Sequence, residues 1–110
     1  MEITHTQNRA VAVVLVTGRL DSGTAPQLTQ YFDGVLRNEQ TKLVVSLARL
    51  DYTGSAGLRV LLSAAKTTRA RGGDLRVAAA QPNVKRVFEI SGLTDVIQFY
   101  PDVATAVASF

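Results

Sequence analysis

The chain has no cysteine, no tryptophan and one histidine, His5. Without thiols there is no disulfide framework, no thiolate metal centre and no cysteine nucleophile. One imidazole leaves no partner for a histidine-based triad or a multi-histidine metal site. Long apolar runs are also missing. The longest, Ala10–Val16, is seven residues, against the roughly 18 that a membrane-spanning helix needs. The opening Met-Glu-Ile-Thr-His lacks the basic and then apolar build of a secretion signal. These absences lead us to expect a soluble, cytoplasmic protein with no metal, no cofactor and no membrane span. What is present suits one folded domain, residues 1–110: 46% of the residues are hydrophobic and 19% charged, enough to bury a core and unlike a disordered tail.

The net charge of +3 is unevenly spread. Residues 1–54 balance five acids with five bases, residues 55–86 carry seven bases against Asp74 alone, and residues 87–110 hold three acids and no base. A basic middle can attract nucleic acid or an acidic protein, or it can be a solvated helix face. No aromatic residues are interleaved with these bases, which argues against a stacking surface for single strands and against direct nucleic-acid binding.

Periodicity divides the chain into short elements. Residues 2–7 alternate weakly, as an edge strand would, and such an edge can pair with a second copy, so we expect a monomer or a weak dimer. Val11–Thr17 is β-branched and apolar, a buried strand. Gly18-Arg19-Leu20-Asp21-Ser22-Gly23 then breaks it. Thr24-Ala25-Pro26-Gln27 has the form of a capping box, opening a helix with Leu28, Tyr31, Phe32, Val35 and Leu36 on one face and an end near Asn38. Lys42–Leu47 is a strand, and Ala48–Ser55 a polar turn. Leu58, Leu61, Leu62 and Ala65 share one face of a second helix, which Gly72-Gly73 stops. Leu75–Ala79 is a strand, and Pro82 opens a helix whose left-handed cap is Gly92, with Leu93 packing back over it. Val96–Phe99 is a last strand, and Pro101 starts a final helix through Phe110.

The order ββαβαβαβα describes an α/β fold, a mostly parallel mixed sheet of about five strands with about four helices and right-handed crossovers. In such a sheet function gathers at the carboxyl ends of the strands, here loops 18–24 and 48–56. The second loop holds Thr53-Gly54-Ser55-Ala56-Gly57. No Gly-Lys-Ser/Thr follows, so it is not a phosphate-binding Walker loop. Thr53 occupies the position where a nucleophile elbow needs its first glycine. Two glycines are too few for a dinucleotide fingerprint, and Asp21 stands alone where an aspartyl phospho-acceptor fold wants an acidic pair. Ser55 remains. It is either a plain helix N-cap, or a hydroxyl left bare by Gly54, Ala56 and Gly57 for a kinase to modify at a helix mouth that tolerates an anion.

Four stretches, in this order and spacing, make the chain similar to the STAS domain, and within it to the anti-sigma-factor antagonists: Gly18-Arg19-Leu20-Asp21 with Thr24-Ala25, Tyr52–Leu58, Gly72–Arg76, and Pro82–Leu93. The resemblance implies a non-enzymatic binding module. Its partner would be an anti-sigma factor that is a serine kinase of the histidine-kinase-type ATPase fold. Binding releases a sigma factor, phosphorylation of Ser55 ends the binding, and a serine phosphatase restores it. The resemblance also implies a contact surface of Asp21, Ser22, Thr53, Gly54, Ala56, Gly57, Leu58 and Arg59. Gly54 stands where the family most often has Asp, and Ala56 where it has a second hydroxyl. A constitutive scaffold or transport-system subunit of the same fold, with Ser55 as a cap only, and a small-ligand or nucleotide-binding domain remain as alternatives.

Overall fold

A computed structural model describes residues 1–110. It contains β1 (Glu2–Asn8), β2 (Val11–Leu20), α1 (Ala25–Arg37), β3 (Lys42–Thr53), α2 (Ser55–Ala70), β4 (Asp74–Ala78), α3 (Pro82–Ile90), a 3-10 turn at Leu93–Asp95, β5 (Phe99–Tyr100) and α4 (Val103–Ala108). The strands lie side by side in chain order, β1-β2-β3-β4-β5. The β1–β2 hairpin is antiparallel and all later pairings are parallel. Each crossover therefore steps one strand further in the same direction. Crossovers of one hand taken in one direction place their helices on one face, and α1, α2 and α3 share a single core on one side of the sheet.

That core follows from strand alternation. Ala12, Val14 and Val16 of β2, Leu43, Val45 and Leu47 of β3, and Leu75 and Val77 of β4 point towards the three helices. They meet Leu28, Phe32 and Val35 of α1, Leu58, Leu61 and Ala65 of α2, and Val84 and Phe88 of α3. The opposite strand positions, Val11, Val13, Val44 and Ala78, form a smaller cluster under α4 through Ala106, with Val103, Val107 and Phe110 at its margin. β1 is the exposed edge, tied to α1 by a hydrogen bond between the His5 ring and the Tyr31 hydroxyl. No helix is long and apolar enough to cross a membrane.

The element order matches the expectation, and so does the left-handed cap at Gly92, whose φ is +80°. Several boundaries differ. β2 runs to Leu20 rather than stopping at Thr17, because Gly18 is absorbed with φ +104° and the strand shifts register twice against β3. β3 runs to Thr53 rather than Leu47, so most of the expected turn at 48–55 is strand. β5 is only Phe99–Tyr100, since the Val96 and Ile97 amides bond back to Leu93 O and prolong the turn that begins as a 3-10 segment at Leu93–Asp95, and α4 is six residues long. The capping box at Thr24 does not form. The Thr24 hydroxyl instead donates to Arg19 O and accepts from Asp21 N–H, and Gln27 reaches Met1 O.

Leu61 is fully buried beneath α2 in the larger core. Leu61→Ala should cost about 2–5 kcal/mol of stability, measured as a lower urea midpoint at unchanged slope.

Candidate functional site

β4 leaves β3 at Ser46, which pairs with Ala78, and β1 leaves β2 at Thr17, which pairs with Glu2; from Gly18 and Leu50 onward β2 and β3 continue as a two-stranded ribbon past the rest of the sheet. Leu20 pairs with Thr53 at its tip. The Gly54 N–H donates to Leu20 O at 2.9 Å. Loop 18–24 and the start of α2 are thereby brought side by side, as the expectation of a shared site required.

Past Ser46 the outer edge of β3 has no strand beside it. Two of its carbonyls are met by side chains at the start of α3: Gln81, its N-cap, donates through Nε2 to Ala48 O at 3.1 Å, and Asn83 of its first turn through Nδ2 to Asp51 O at 2.8 Å. Neither residue was expected to support the site. Nothing in the sequence marks them, because their acceptors are backbone atoms more than 30 residues away.

Asp21 locks its own loop. Its Oδ1 accepts from Gly23 N–H at 3.0 Å and Thr24 N–H at 3.1 Å, and the Thr24 hydroxyl approaches it at 3.3 Å. These bonds favour the charged carboxylate. The Thr24 backbone bond is the largest cause of an Asp21 pKa below the ordinary aspartate range; partial desolvation works against it, and the Gly23 bond and the Arg19 charge add to it. Arg19 Nε stands 4.0 Å from Asp21 Oδ2, a loose and exposed pair. Asp21 is thus first an architectural residue, with one carboxylate oxygen still facing outwards. Ser22 beside it is exposed.

Ser55 is the first residue of α2, and Gly54, with extended backbone, is the N-cap. The plain N-cap reading of Ser55 is therefore corrected. The Gly54 carbonyl accepts from Gly57 N–H at 3.1 Å and Leu58 N–H at 3.4 Å, and no side chain caps this helix. Ser55 is exposed. The first turn of α2 contains no acid.

The expected contact surface divides in two. Asp21, Ser22, Ser55 and Arg59 reach solvent, and Gly54 and Ala56 are half-buried. Thr53 is 2% exposed and Leu58 9%, and Gly57 is buried. These three are corrected from contact residues to supports. Leu58 packs into the core. A Cβ on Gly57 would lie 2.5 Å from Thr53 Oγ1 and 2.6 Å from Leu20 Cγ, so the glycine lets α2 seat against the ribbon tip. Tyr52 and Arg19, not among the expected contacts, are both exposed and stacked together, with the Arg19 guanidinium carbon 4.3 Å from the ring centroid.

The largest groove, about 590 Å³, is lined by Asn8–Val11, Lys42 and the α4 side chains including Val107, at the opposite end of the strands from Ser55. No three acidic or histidine side chains converge anywhere to hold a metal ion. The ribbon tip presents the side chains of Arg19, Ser22, Tyr52, Ser55 and Arg59 to solvent.

Comparison with known proteins identifies the family. The STAS domain profile matches residues 2–106. A protein of Bordetella bronchiseptica that carries the name of an anti-sigma factor antagonist, BtrV, is 33% identical over 110 residues, all of this chain and 95% of that one. The crystal structure of an anti-sigma factor antagonist from Mycobacterium paratuberculosis superposes with a TM-score of 0.90 at 28% identity, covering 98% of this chain and 92% of that one. The Bacillus cell-fate determinant SpoIIAA in its phosphorylated form shares the fold at 19% identity, with a TM-score of 0.75 and 98% of each chain covered. The chain belongs to the STAS domain family, within its anti-sigma factor antagonists.

Two outcomes follow from the site. Gly57→Ala should destabilise the protein by about 1–3 kcal/mol, through overpacking against Thr53 and Leu20, read from chemical denaturation. The Asp21 carboxyl should titrate below the same group in the unfolded chain. Its contribution to stability is complete above the ordinary aspartate range and is lost as pH falls through the lowered folded value. Carboxyl-carbon NMR titration reads the midpoint directly, and Asp21→Asn should flatten the acid limb of the stability curve.

Proposed function

We propose that this protein binds a kinase-type anti-sigma factor through the ribbon tip and the start of α2, frees the bound sigma factor, and is switched off by phosphorylation of Ser55. The observation that carries the reading is the exposed Ser55 side chain at a helix N-terminus without a side-chain cap. A phosphoryl group there adds about −1.5 to −2 charges at pH 7. It would sit at the positive end of the α2 dipole, among amides with no other side-chain acceptor, so the helix tolerates it while the docking surface changes sign. The module itself is not an enzyme. The kinase supplies the phosphoryl transfer, a serine phosphatase removes the group, and the kinase's ATP places the cycle in the cytoplasm. Support comes from the antagonists this chain resembles and from the phosphorylated form of SpoIIAA, which has the same fold.

The departures at Gly54 and Ala56 favour one second reading, a constitutive STAS scaffold whose Ser55 is never modified. Incubation with the histidine-kinase-type anti-sigma factors of the same organism and ATP separates the two. We expect intact mass to show one added phosphoryl group on the wild type and none on Ser55→Ala. We expect Ser55→Ala to bind the anti-sigma factor as the wild type does, and Ser55→Asp to bind at least about tenfold more weakly, a loss near 1.4 kcal/mol by calorimetry. Unmodified wild-type protein, with Ser55→Asp binding at full strength, would establish the scaffold instead.

A further inference from the structure

Four large apolar side chains are exposed: Leu15, Tyr52, Ile90 and Val96. Leu15 lies in mid-strand on β2, while Ile90 and Val96 lie at and beyond the C-terminus of α3. Tyr52 alone stands at the ribbon tip, three positions before Ser55, and keeps 42% of its surface in solvent. It is also held in place. Tyr52 sits on β3 directly opposite Arg19 of β2, whose guanidinium carbon lies 4.3 Å from the ring centroid. At the hydroxyl end it lies against Gly54: a Cβ there would be 3.3 Å from the Tyr52 Oη and 3.7 Å from Cε2. Any side chain at position 54 would press on the phenol.

We propose that Tyr52, held between Arg19 and Gly54, is the anchor of the anti-sigma-factor interface and determines which anti-sigma factor this protein recognises; this rests on the functional reading above. A tyrosine fixed by a strand and a stacked cation presents a large amphipathic surface that loses little freedom on docking. Tyrosine and arginine are also the residue types that dominate binding energy at protein interfaces. Arg19 keeps 63% of its side chain exposed and is only loosely engaged by Asp21, so its donors remain free for a carboxylate. The matching partner segment lays an aliphatic side chain over the phenol and sets an acidic side chain opposite Arg19. The absence of a side chain at Gly54 leaves room for the phenol.

The test titrates unphosphorylated wild type and variants onto immobilised histidine-kinase-type anti-sigma factors of the same organism. Tyr52→Ala should lower affinity about thirtyfold or more, mainly through faster dissociation, and Tyr52→Phe should stay within about threefold because the ring and its stacking survive. Gly54→Asp should weaken binding about tenfold by displacing the phenol, and Arg19→Gln about fivefold with a flatter salt dependence. Tyr52→Thr keeps a strand-forming residue and removes the ring, so it reads the anchor even where the alanine variant loosens the ribbon. Tyr52→Thr binding within about threefold of wild type, with an unchanged melting temperature, overturns the anchor. Loss of binding in Tyr52→Thr with none in Ser55→Asp leaves the anchor standing and removes the phosphorylation switch. A wild type that binds no such anti-sigma factor removes both.

Discussion

The site depends on the pairing of β2 and β3 beyond the end of β4, closed by the Gly54 N–H on Leu20 O. Within the sheet each of these strands has a neighbour on both sides. Beyond Thr17 and Arg49 they rely on one another. The Asp21 loop begins one residue past the end of β2, and Gly54, the cap of α2, directly follows β3. Any loosening of that last backbone bond would separate the two loops that together carry the proposed docking surface. Gly57 adds to the same constraint from the helix side, because its missing Cβ allows α2 to contact Thr53 and Leu20 closely.

The charged residues of α2 are of one sign only. Asp21 is committed to amides of its own loop. α2 carries no acidic residue along its length, and Arg59 and Lys66 on its outer side are both exposed. Positive potential at the helix mouth is therefore left uncompensated by the protein itself. An anion attached at Ser55, as proposed, would meet no repelling carboxylate on that helix.

The sequence was legible where periodicity and punctuation agree. Helical faces, buried β-branched strands and the cap at Gly92 follow from local rules, and together they define the parallel sheet and direct attention to loops 18–24 and 48–56. Strand ends were harder to read. Gly18 and Asp51 look like turn residues, yet irregular strand register absorbs both, because pairing with a neighbour outweighs weak intrinsic preference. Thr24 and Ser55 both resembled helix caps. Bonds within its own loop, to Arg19 and Asp21, claimed the hydroxyl of the first, and a glycine one residue earlier took the role of the second. Thr53, Gly57 and Leu58 belong to the signature, but burial shows that a signature residue can serve the frame rather than the contact.

The amides of Gln81 and Asn83 have an effect beyond holding a loop steady. A bare strand edge is a template on which foreign chains can add and fibres can grow. By filling acceptors of β3 that another backbone would otherwise seek, these two side chains turn an open margin into a closed one. The protruding strands then offer less invitation to indiscriminate stacking.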